Sequence, residues 1–205
     1  MTFFDIRIRV IKTNQTSNCL FKMTKVIAAF NMTLDGICDH TTGIADDDLH
    51  KHYAELIDQA GVILYGRKTF ELMKFWQNIV ENPSGQASLD QFAHAIDNVP
   101  KIVFSNTIKE TGWNSATLAK NKLEEEINLL KQKEKKPILI GSRSLIIQLL
   151  NSKLVDEFQI CIHPIIEGKG MRLLDEISNK IMLKLIKSKT LQSGVIVHYY
   201  QPINN

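Results

Sequence analysis

Short apolar runs alternate with amphipathic stretches along most of the chain. Short uninterrupted apolar runs, here of three to five residues, are typical of strands that are buried on both faces. Apolar residues recurring every three or four positions predict helices between those runs. The predicted strands lie at 24–30, 62–65, 101–104 and 138–140, and the helical spacing is clearest at 49–60, 70–76, 123–130 and 145–150. Strands that alternate with helices predict a parallel sheet.

The pattern changes towards the C-terminus. Residues 155–162 alternate between apolar and polar, which predicts a half-buried strand. Two further strands are expected at 181–188 and 195–200, and residues 190–194 would join them as a hairpin. The chain is therefore predicted to be an α/β protein with a mixed sheet, in which the strands are parallel first and form an antiparallel hairpin at the C-terminus.

Three of the predicted strands end in small polar turns. Two of these turns begin with a glycine and open a helix, so unpaired N–H groups and the positive end of the helix dipole would meet at one point. The turns are Gly66, Arg67, Lys68 and Thr69 after the strand at 62–65, Gly141, Ser142, Arg143 and Ser144 after the strand at 138–140, and Ser105 and Asn106 after the strand at 101–104.

One such turn alone is more often an ordinary strand-to-helix connection with a solvated arginine. The recurrence of the glycine turn after a second strand favours one crevice that holds a phosphate-rich ligand. Neither turn has the spacing of a dinucleotide fingerprint or of a P-loop. The polar residues after the strand at 101–104 have two interpretations at this point: they bind a phosphate, or they only shape a turn.

Composition and charge narrow the function classes. The chain has 205 residues, 44% apolar and 23% charged, with a net charge of +3. These values are ordinary for a globular protein, and no basic patch interleaved with aromatic residues indicates nucleic-acid binding. No apolar run reaches the length of a membrane span. Three cysteines without a CxxC pair favour a reducing cytosol, so we expect a cytoplasmic protein.

Residues 1–22 have no apolar core like that of a signal peptide. Met23 directly precedes the first clean strand, so we predict an N-terminal extension at 1–22 and one domain at 23–203. No metal is expected. His50 and His52 are two positions apart, and a helix places them on different faces.

Six short motifs, in a fixed order, resemble a known family. The chain is similar to the dihydrofolate reductase-like superfamily, and within it to the C-terminal reductase domain of the bacterial bifunctional riboflavin-biosynthesis protein. The motifs span roughly residues 23–202, and each is weak alone. They are Thr33-Leu34-Asp35-Gly36, Leu64-Tyr65-Gly66-Arg67-Lys68-Thr69-Phe70-Glu71, Lys101-Ile102-Val103-Phe104-Ser105, Ile140-Gly141-Ser142, Leu154-Val155-Asp156-Glu157 and Pro164-Ile165-Ile166-Glu167-Gly168-Lys169-Gly170.

The resemblance implies a three-layer α/β/α fold, NADPH as hydride donor and a homodimer. It implies that Arg67 and Ser105 hold the adenosine 2′-phosphate. Thr69, Gly141 and Ser142 would hold the pyrophosphate. The cofactor site is predicted to be completed by Gly66, Lys68, Asn106, Arg143 and Ser144.

The family-level activity is reduction of 5-amino-6-(5-phosphoribosylamino)uracil. The loop at 34–36 and the acidic helix start at 46–48 would border the substrate, and Asp35 or Asp48 would relay a proton. The alternatives are a reductase of a dihydropterin, dihydrofolate or another small molecule, and a non-catalytic NADP-binding module.

The chain departs from the family pattern in two places. Ser142 stands where the family often has a second glycine, and three neighbouring aspartates compete for the place of one carboxylate. The zinc ligands of the deaminase half are absent from the sequence.

Overall fold

The computed structural model describes residues 24–203, which contain eight strands and six helices. The strands are β1 Val26–Thr33, β2 Val62–Gly66, β3 Lys101–Phe104, β4 Ala116–Leu118, β5 Ile138–Ile140, β6 Glu157–His163, β7 Met182–Thr190 and β8 Ile196–Ile203. The helices are α1 Asp47–Asp58, α2 Arg67–Met73, α3 Phe75–Glu81, α4 Ala87–Asn98, α5 Leu123–Lys133 and α6 Arg143–Asn151. The predicted extension at 1–22 lies outside the described residues.

The eight strands form one sheet in the order β4-β3-β2-β5-β1-β6-β8-β7. The first six strands along the chain run parallel to one another, whereas β8 is antiparallel to both β6 and β7. The predicted fold class, with parallel strands first and an antiparallel hairpin at the end, is confirmed. The strand β6 is more buried than its alternating sequence suggested, because apolar side chains cover both of its faces.

The two largest hydrophobic cores lie on opposite faces of the sheet. In β1, Ile27 and Ala29 pack with residues of α1, α2 and α4, whereas Val26 and Ala28 pack with residues of α5 and α6. Successive side chains of a strand point to opposite faces, so an unbroken apolar run supplies both cores. This is the three-layer α/β/α arrangement that the resemblance implied, and it contains the doubly buried strands that the apolar runs predicted.

Helices that follow neighbouring strands lie on opposite faces of the sheet. The chain goes from β1 to α1 and from β2 to α2 on one face, whereas it goes from β5 to α6 on the other. Because β5 lies between β2 and β1, the carboxyl end of β5 is a topological switch point. Ligands of open α/β sheets bind in the crevice at such a point.

The helix predicted through residues 70–76 is two short helices rather than one. They meet at Lys74, where the Gln77 N–H donates to the Lys74 carbonyl across three residues and tightens the turn. Phe70, Met73 and Trp76 still pack on one core, so the apolar spacing gave the right face. No helix in the described part of the chain is long and apolar enough to cross a membrane.

Candidate cofactor and substrate site

The three polar turns lie side by side at the carboxyl edge of the sheet. The strands β3, β2 and β5 are parallel neighbours, with Gly66 paired in register with Phe104 and Leu64 paired with Ile140. Ser105 and Gly141 directly follow those partners. The structure thus brings together the turns that begin at Gly66, Ser105 and Gly141, although they are far apart in sequence.

Ser142 joins two of these turns directly. Its side chain is buried, and its Oγ accepts a hydrogen bond of 2.8 Å from the Gly66 N–H. The backbone of Ser142 is extended, with φ −127° and ψ 129°, so a non-glycine residue is unstrained there. A Cβ added to Gly66 would lie 3.2 Å from the Ser144 Oγ, which shows how closely the two turns approach. Ser142, which stands where the family often has a second glycine, therefore connects the two turns through its side chain.

Gly141 is required by packing between the strands. A Cβ at this position would lie 2.8 Å from Cε1 of Tyr65, a buried residue of β2. Such a distance is shorter than real contacts allow, so any larger residue would have to displace the ring. A side chain at position 141 would therefore point at the Tyr65 ring.

Arg67 supplies an exposed cation at this edge. It is the first residue of α2, and its Nη1 lies 3.2 Å from a Glu71 carboxylate oxygen one turn later in the same helix. Lys68 is also exposed, and Thr69 is half-buried. The Arg67 guanidinium is therefore accessible to a ligand, but it already forms an ion pair with the Glu71 carboxylate.

Ser105 shapes a turn. Its Oγ accepts hydrogen bonds from the N–H groups of Thr107 and Ile108, at 3.1 and 2.9 Å. Asn106, which lies between Ser105 and Thr107, is exposed. The Ser105 Oγ also lies 3.3 Å from the Thr107 Oγ1, and either hydroxyl can be the donor. These contacts show the turn-shaping role, and the phosphate-binding interpretation stays a prediction.

The Arg143 side chain is directed away from the turns. Its guanidinium donates to the Arg172 carbonyl at 2.6 Å, to Glu176 at 2.8 Å and to Asp175. No side chain caps the N-terminus of the nine-residue helix α6. The first-turn N–H groups of α6, including that of Ser144, therefore have no side-chain acceptor, and such groups could accept an anion.

Asp35 holds two loops together. Its carboxylate accepts from the Thr33 hydroxyl at 2.6 Å and from the N–H groups of Gly168 and Glu167 at 2.7 and 3.2 Å. These hydrogen bonds, that of Thr33 first, lower the pKa of Asp35 to about 2. An ionised carboxylate has no proton to donate near neutral pH, so the contacts favour an anchoring role over proton relay.

The three aspartates at the start of α1 each have a structural contact. Asp46 caps the helix by accepting from the Leu49 N–H at 2.7 Å, and Asp47 accepts from the Ser88 hydroxyl in α4. Asp48 accepts from the Gln192 N–H in the β7–β8 connection at 3.0 Å. In the sheet, β8 and β7 lie beyond β6 from β1, so this contact ties the Asp48 carboxylate to the antiparallel end of the sheet. The proton-relay role of Asp48 stays a prediction.

A group of polar side chains that the sequence did not single out lies between α1 and the sheet. The Asn31 Oδ1 accepts from the Tyr53 hydroxyl at 3.1 Å and lies 3.4 Å from the His163 Nε2. The Ile44 N–H lies 3.0 Å from Nδ1 of the same histidine. The sequence signal was an asparagine that ends an apolar run and a His-Pro pair that ends another.

The other histidines near α1 do not form a metal site. His50 packs against the rings of Trp76 and Phe92, and His52 is buried beside Tyr199. Within residues 24–203, no three His, Cys, Asp or Glu side chains are grouped so that they could hold a metal ion.

Comparison with known proteins identifies relatives over most of the chain. The family described as RibD C-terminal domain matches residues 24–197. The uncharacterized protein YyaP of Bacillus subtilis is 34% identical over 185 residues, which are 87% of this chain and 95% of that protein. The residues matched by the family include all three polar turns and the group around Asn31.

Solved structures support the fold. A pyrimidine reductase-like protein of Corynebacterium diphtheriae superimposes with a TM-score of 0.61 and 16% identity, covering 89% of this chain and 93% of that one. A second structure is the diaminohydroxyphosphoribosylaminopyrimidine deaminase/5-amino-6-(5-phosphoribosylamino)uracil reductase of Thermotoga maritima. It superimposes with a TM-score of 0.62 and 17% sequence identity and covers 90% of this chain. The match spans 58% of that bifunctional protein.

Proposed function

Because this chain belongs to the RibD C-terminal domain family, whose members are reductase-type enzymes, we propose that it is an NADPH-dependent reductase. The observation that carries the proposal is the meeting of three polar turns at the switch point around β5. A ligand with several phosphates matches this edge, because cations and uncapped helical N–H groups are exposed along it.

The residues present fit NADPH. The helix α6 has no side-chain cap at its N-terminus. Gly66 allows the turn after β2 to lie against Ser142 and Ser144, and Gly141 leaves room for the Tyr65 ring. Arg67 is exposed at the rim and offers the planar donor fork that suits a phosphate. When bound, the reduced nicotinamide would supply hydride.

Each turn would have a distinct part in holding the cofactor. In this proposal Arg67 and Ser105 bind the 2′-phosphate, and Thr69 with the first-turn N–H groups of α6 binds the pyrophosphate. Arg143 contributes its backbone, because its side chain is used by Asp175 and Glu176. The next strand in the sheet after β5 is β1. Its carboxyl end and the loop at 34–36 would therefore lie beside the reacting end of the cofactor, the nicotinamide.

The protein's share of the chemistry is orientation. Asp35 fixes the loop at 34–36 to the loop at 167–168, so the boundary of the reacting end is tied down by a carboxylate that stays ionised. We propose 5-amino-6-(5-phosphoribosylamino)uracil, the compound in the name of the Thermotoga maritima protein, as the substrate. A cytoplasmic homodimer remains part of the same proposal.

The experiment is an assay of NADPH oxidation with the purified protein. The substrates are 5-amino-6-(5-phosphoribosylamino)uracil and, as the alternative class, a dihydropterin and dihydrofolate, and NADPH binding is titrated in parallel. Turnover of the uracil compound supports the proposal. Turnover of only the pterin compounds would replace the substrate, and binding of NADPH with no turnover would indicate a non-catalytic module. Failure to bind NADPH would refute the proposal.

A further inference from the structure

The carboxyl end of β1 has one free edge. Its pairing with β5 ends at Ala28, which is opposite Ile140, whereas its pairing with β6 continues to Thr33. Asn31 lies three residues beyond Ala28, roughly 10 Å further along the strand at 3.3 Å per residue. Its side chain points to the face that carries α1, because it contacts Tyr53. Asn31 thus lies at the free edge beside the switch point.

The neighbours of Asn31 fix the orientation of its amide. The Ile44 N–H donates to the Nδ1 of His163, so the proton of the neutral ring is on Nε2. Burial lowers the pKa of His163, which keeps the ring neutral at physiological pH. Nε2–H therefore donates to the Asn31 Oδ1, as the Tyr53 hydroxyl does. Two donors on one oxygen determine which end of the amide is the nitrogen.

The amide nitrogen of Asn31 is the end that remains available. Within residues 24–203 it has no hydrogen-bond partner, and it is not among the enclosed polar atoms that lack one. Asn31 as a whole is half-buried. The side chain therefore presents two N–H donors to the accessible space, while both lone pairs of its oxygen are occupied.

We infer that Asn31 is a specificity-determining residue that donates a hydrogen bond to a ring carbonyl of a pyrimidine-type substrate. The inference rests on the proposed function, which places the reacting end at β1. A ligand group that faces Asn31 has to be an acceptor, because the asparagine has no free lone pair for an amino group. A buried amino group left without an acceptor loses its hydrogen bonds to water, so the site discriminates against it.

Tyr53 and His163 act as positioning residues in this inference. They do not contact the ligand themselves. Their hydrogen bonds to the Asn31 Oδ1 prevent the amide from rotating and presenting its oxygen to the ligand. The Tyr53 ring packs in the core, so Tyr53→Phe keeps the ring packing and removes the hydroxyl, which donates to Asn31 and also interacts with the Cys161 thiol. A mis-rotated amide would present an acceptor and weaken the discrimination between a carbonyl and an amino group.

The test uses two probes that differ at one ring position. They are 5-amino-6-(5-phosphoribosylamino)uracil, which has a carbonyl there, and the diaminohydroxyphosphoribosylaminopyrimidine from which deamination makes it, which has an amino group. Binding of each probe to the NADPH-loaded protein is measured for the wild type, Asn31→Leu, Asn31→Asp and Tyr53→Phe. The Kd of NADPH is measured for every variant, and circular dichroism checks that each is folded.

We expect the wild type to prefer the uracil compound. Asn31→Leu should weaken that compound roughly three- to tenfold, the effect of one neutral hydrogen bond, and leave the NADPH affinity within twofold. Asn31→Asp should shift the preference towards the amino compound, because a carboxylate oxygen accepts from it. Tyr53→Phe should reduce the preference without changing NADPH binding.

Three results would overturn the inference. They are an unchanged affinity of Asn31→Leu for the uracil compound, an equal loss for both probes, and no binding of the uracil compound to a wild type that binds NADPH. A wild type that fails to bind NADPH contradicts the proposed function instead, so the two failures are distinguishable.

Discussion

Replacing Arg67 with alanine should weaken the binding of NADPH and leave NADH nearly unchanged. The two cofactors differ in the 2′-phosphate, which carries roughly two negative charges near neutral pH, whereas NADH has a hydroxyl. The Arg67 fork lies one residue past the glycine that ends β2, at the edge where the polar turns meet. Its charge can therefore distinguish a phosphate from a hydroxyl.

The size of the effect follows from the exposure of Arg67. A charge-assisted hydrogen bond contributes on the order of 1.5–3 kcal/mol. The Arg67 side chain is 44% exposed, and Glu71 lies 3.2 Å from its Nη1. Solvent and the competing carboxylate both weaken its pairing with a phosphate, so we expect about 1.5 kcal/mol, or roughly tenfold in Kd.

The assay is a pair of titrations, with NADPH and with NADH, for each variant. Arg67→Lys should recover only part of the affinity, because a point charge replaces a two-pronged donor. Glu71→Gln is the matched control. It removes the competitor and should tighten NADPH up to about twofold, the size of an exposed i,i+4 pair, without affecting NADH. High salt should reduce the Arg67 effect.

Equal losses for NADPH and NADH in Arg67→Ala would show that the arginine supports the turn rather than the 2′-phosphate. No loss for either cofactor would return Arg67 to a solvated surface residue paired with Glu71. Either result would refute the assignment.

Three further predictions concern stability. Gly141→Val should lower the free energy of unfolding by about 1–3 kcal/mol in urea titrations, because its Cβ would overlap the Tyr65 ring; an unchanged midpoint would contradict the packing described here. Asp35→Asn should lower the melting temperature at pH 7, and its deficit should shrink as the pH falls from about 4 to about 2, since the wild-type carboxylate loses its advantage there; a deficit independent of pH would argue against the anchoring charge. Burial lowers the pKa of Lys101 to about 8 from 10.5, so the unfolded chain binds more protons between these values and stability should rise with pH across that window. Lys101→Met should lack this rise, which denaturant titrations of wild type and variant across the window would measure. A difference in the free energy of unfolding between the two proteins that stays constant with pH would contradict the prediction.

The fold could be predicted because its signals are local. Apolar runs such as 62–65 and 138–140 supply both faces of a buried strand, and the hairpin pattern at 181–200 predicted the antiparallel end. Recurrent glycine turns after two strands were enough to expect that the turns meet, because carboxyl ends of parallel strands share an edge.

The roles of single side chains could not be predicted, because they depend on partners distant in sequence. Arg143 has the right chemistry for a phosphate, but Asp175 and Glu176 in a later loop hold its guanidinium. The motif containing Asp35 did not reveal that residues 167–168 donate to its carboxylate.

The group around Asn31 was missed for the same reason. Tyr53 and His163 approach it from a helix and from another strand, and no spacing in the sequence records this. An asparagine at the end of an apolar strand looks like the start of a loop until its neighbours are known.

A crystal structure of the protein with NADPH would test the reductase proposal most directly. We predict that the 2′-phosphate lies beside Arg67, the pyrophosphate at the N-terminus of α6, and the nicotinamide at the carboxyl end of β1 near Asn31. A cofactor bound elsewhere, or one whose phosphates avoid the turns at Gly66 and Gly141, would contradict it.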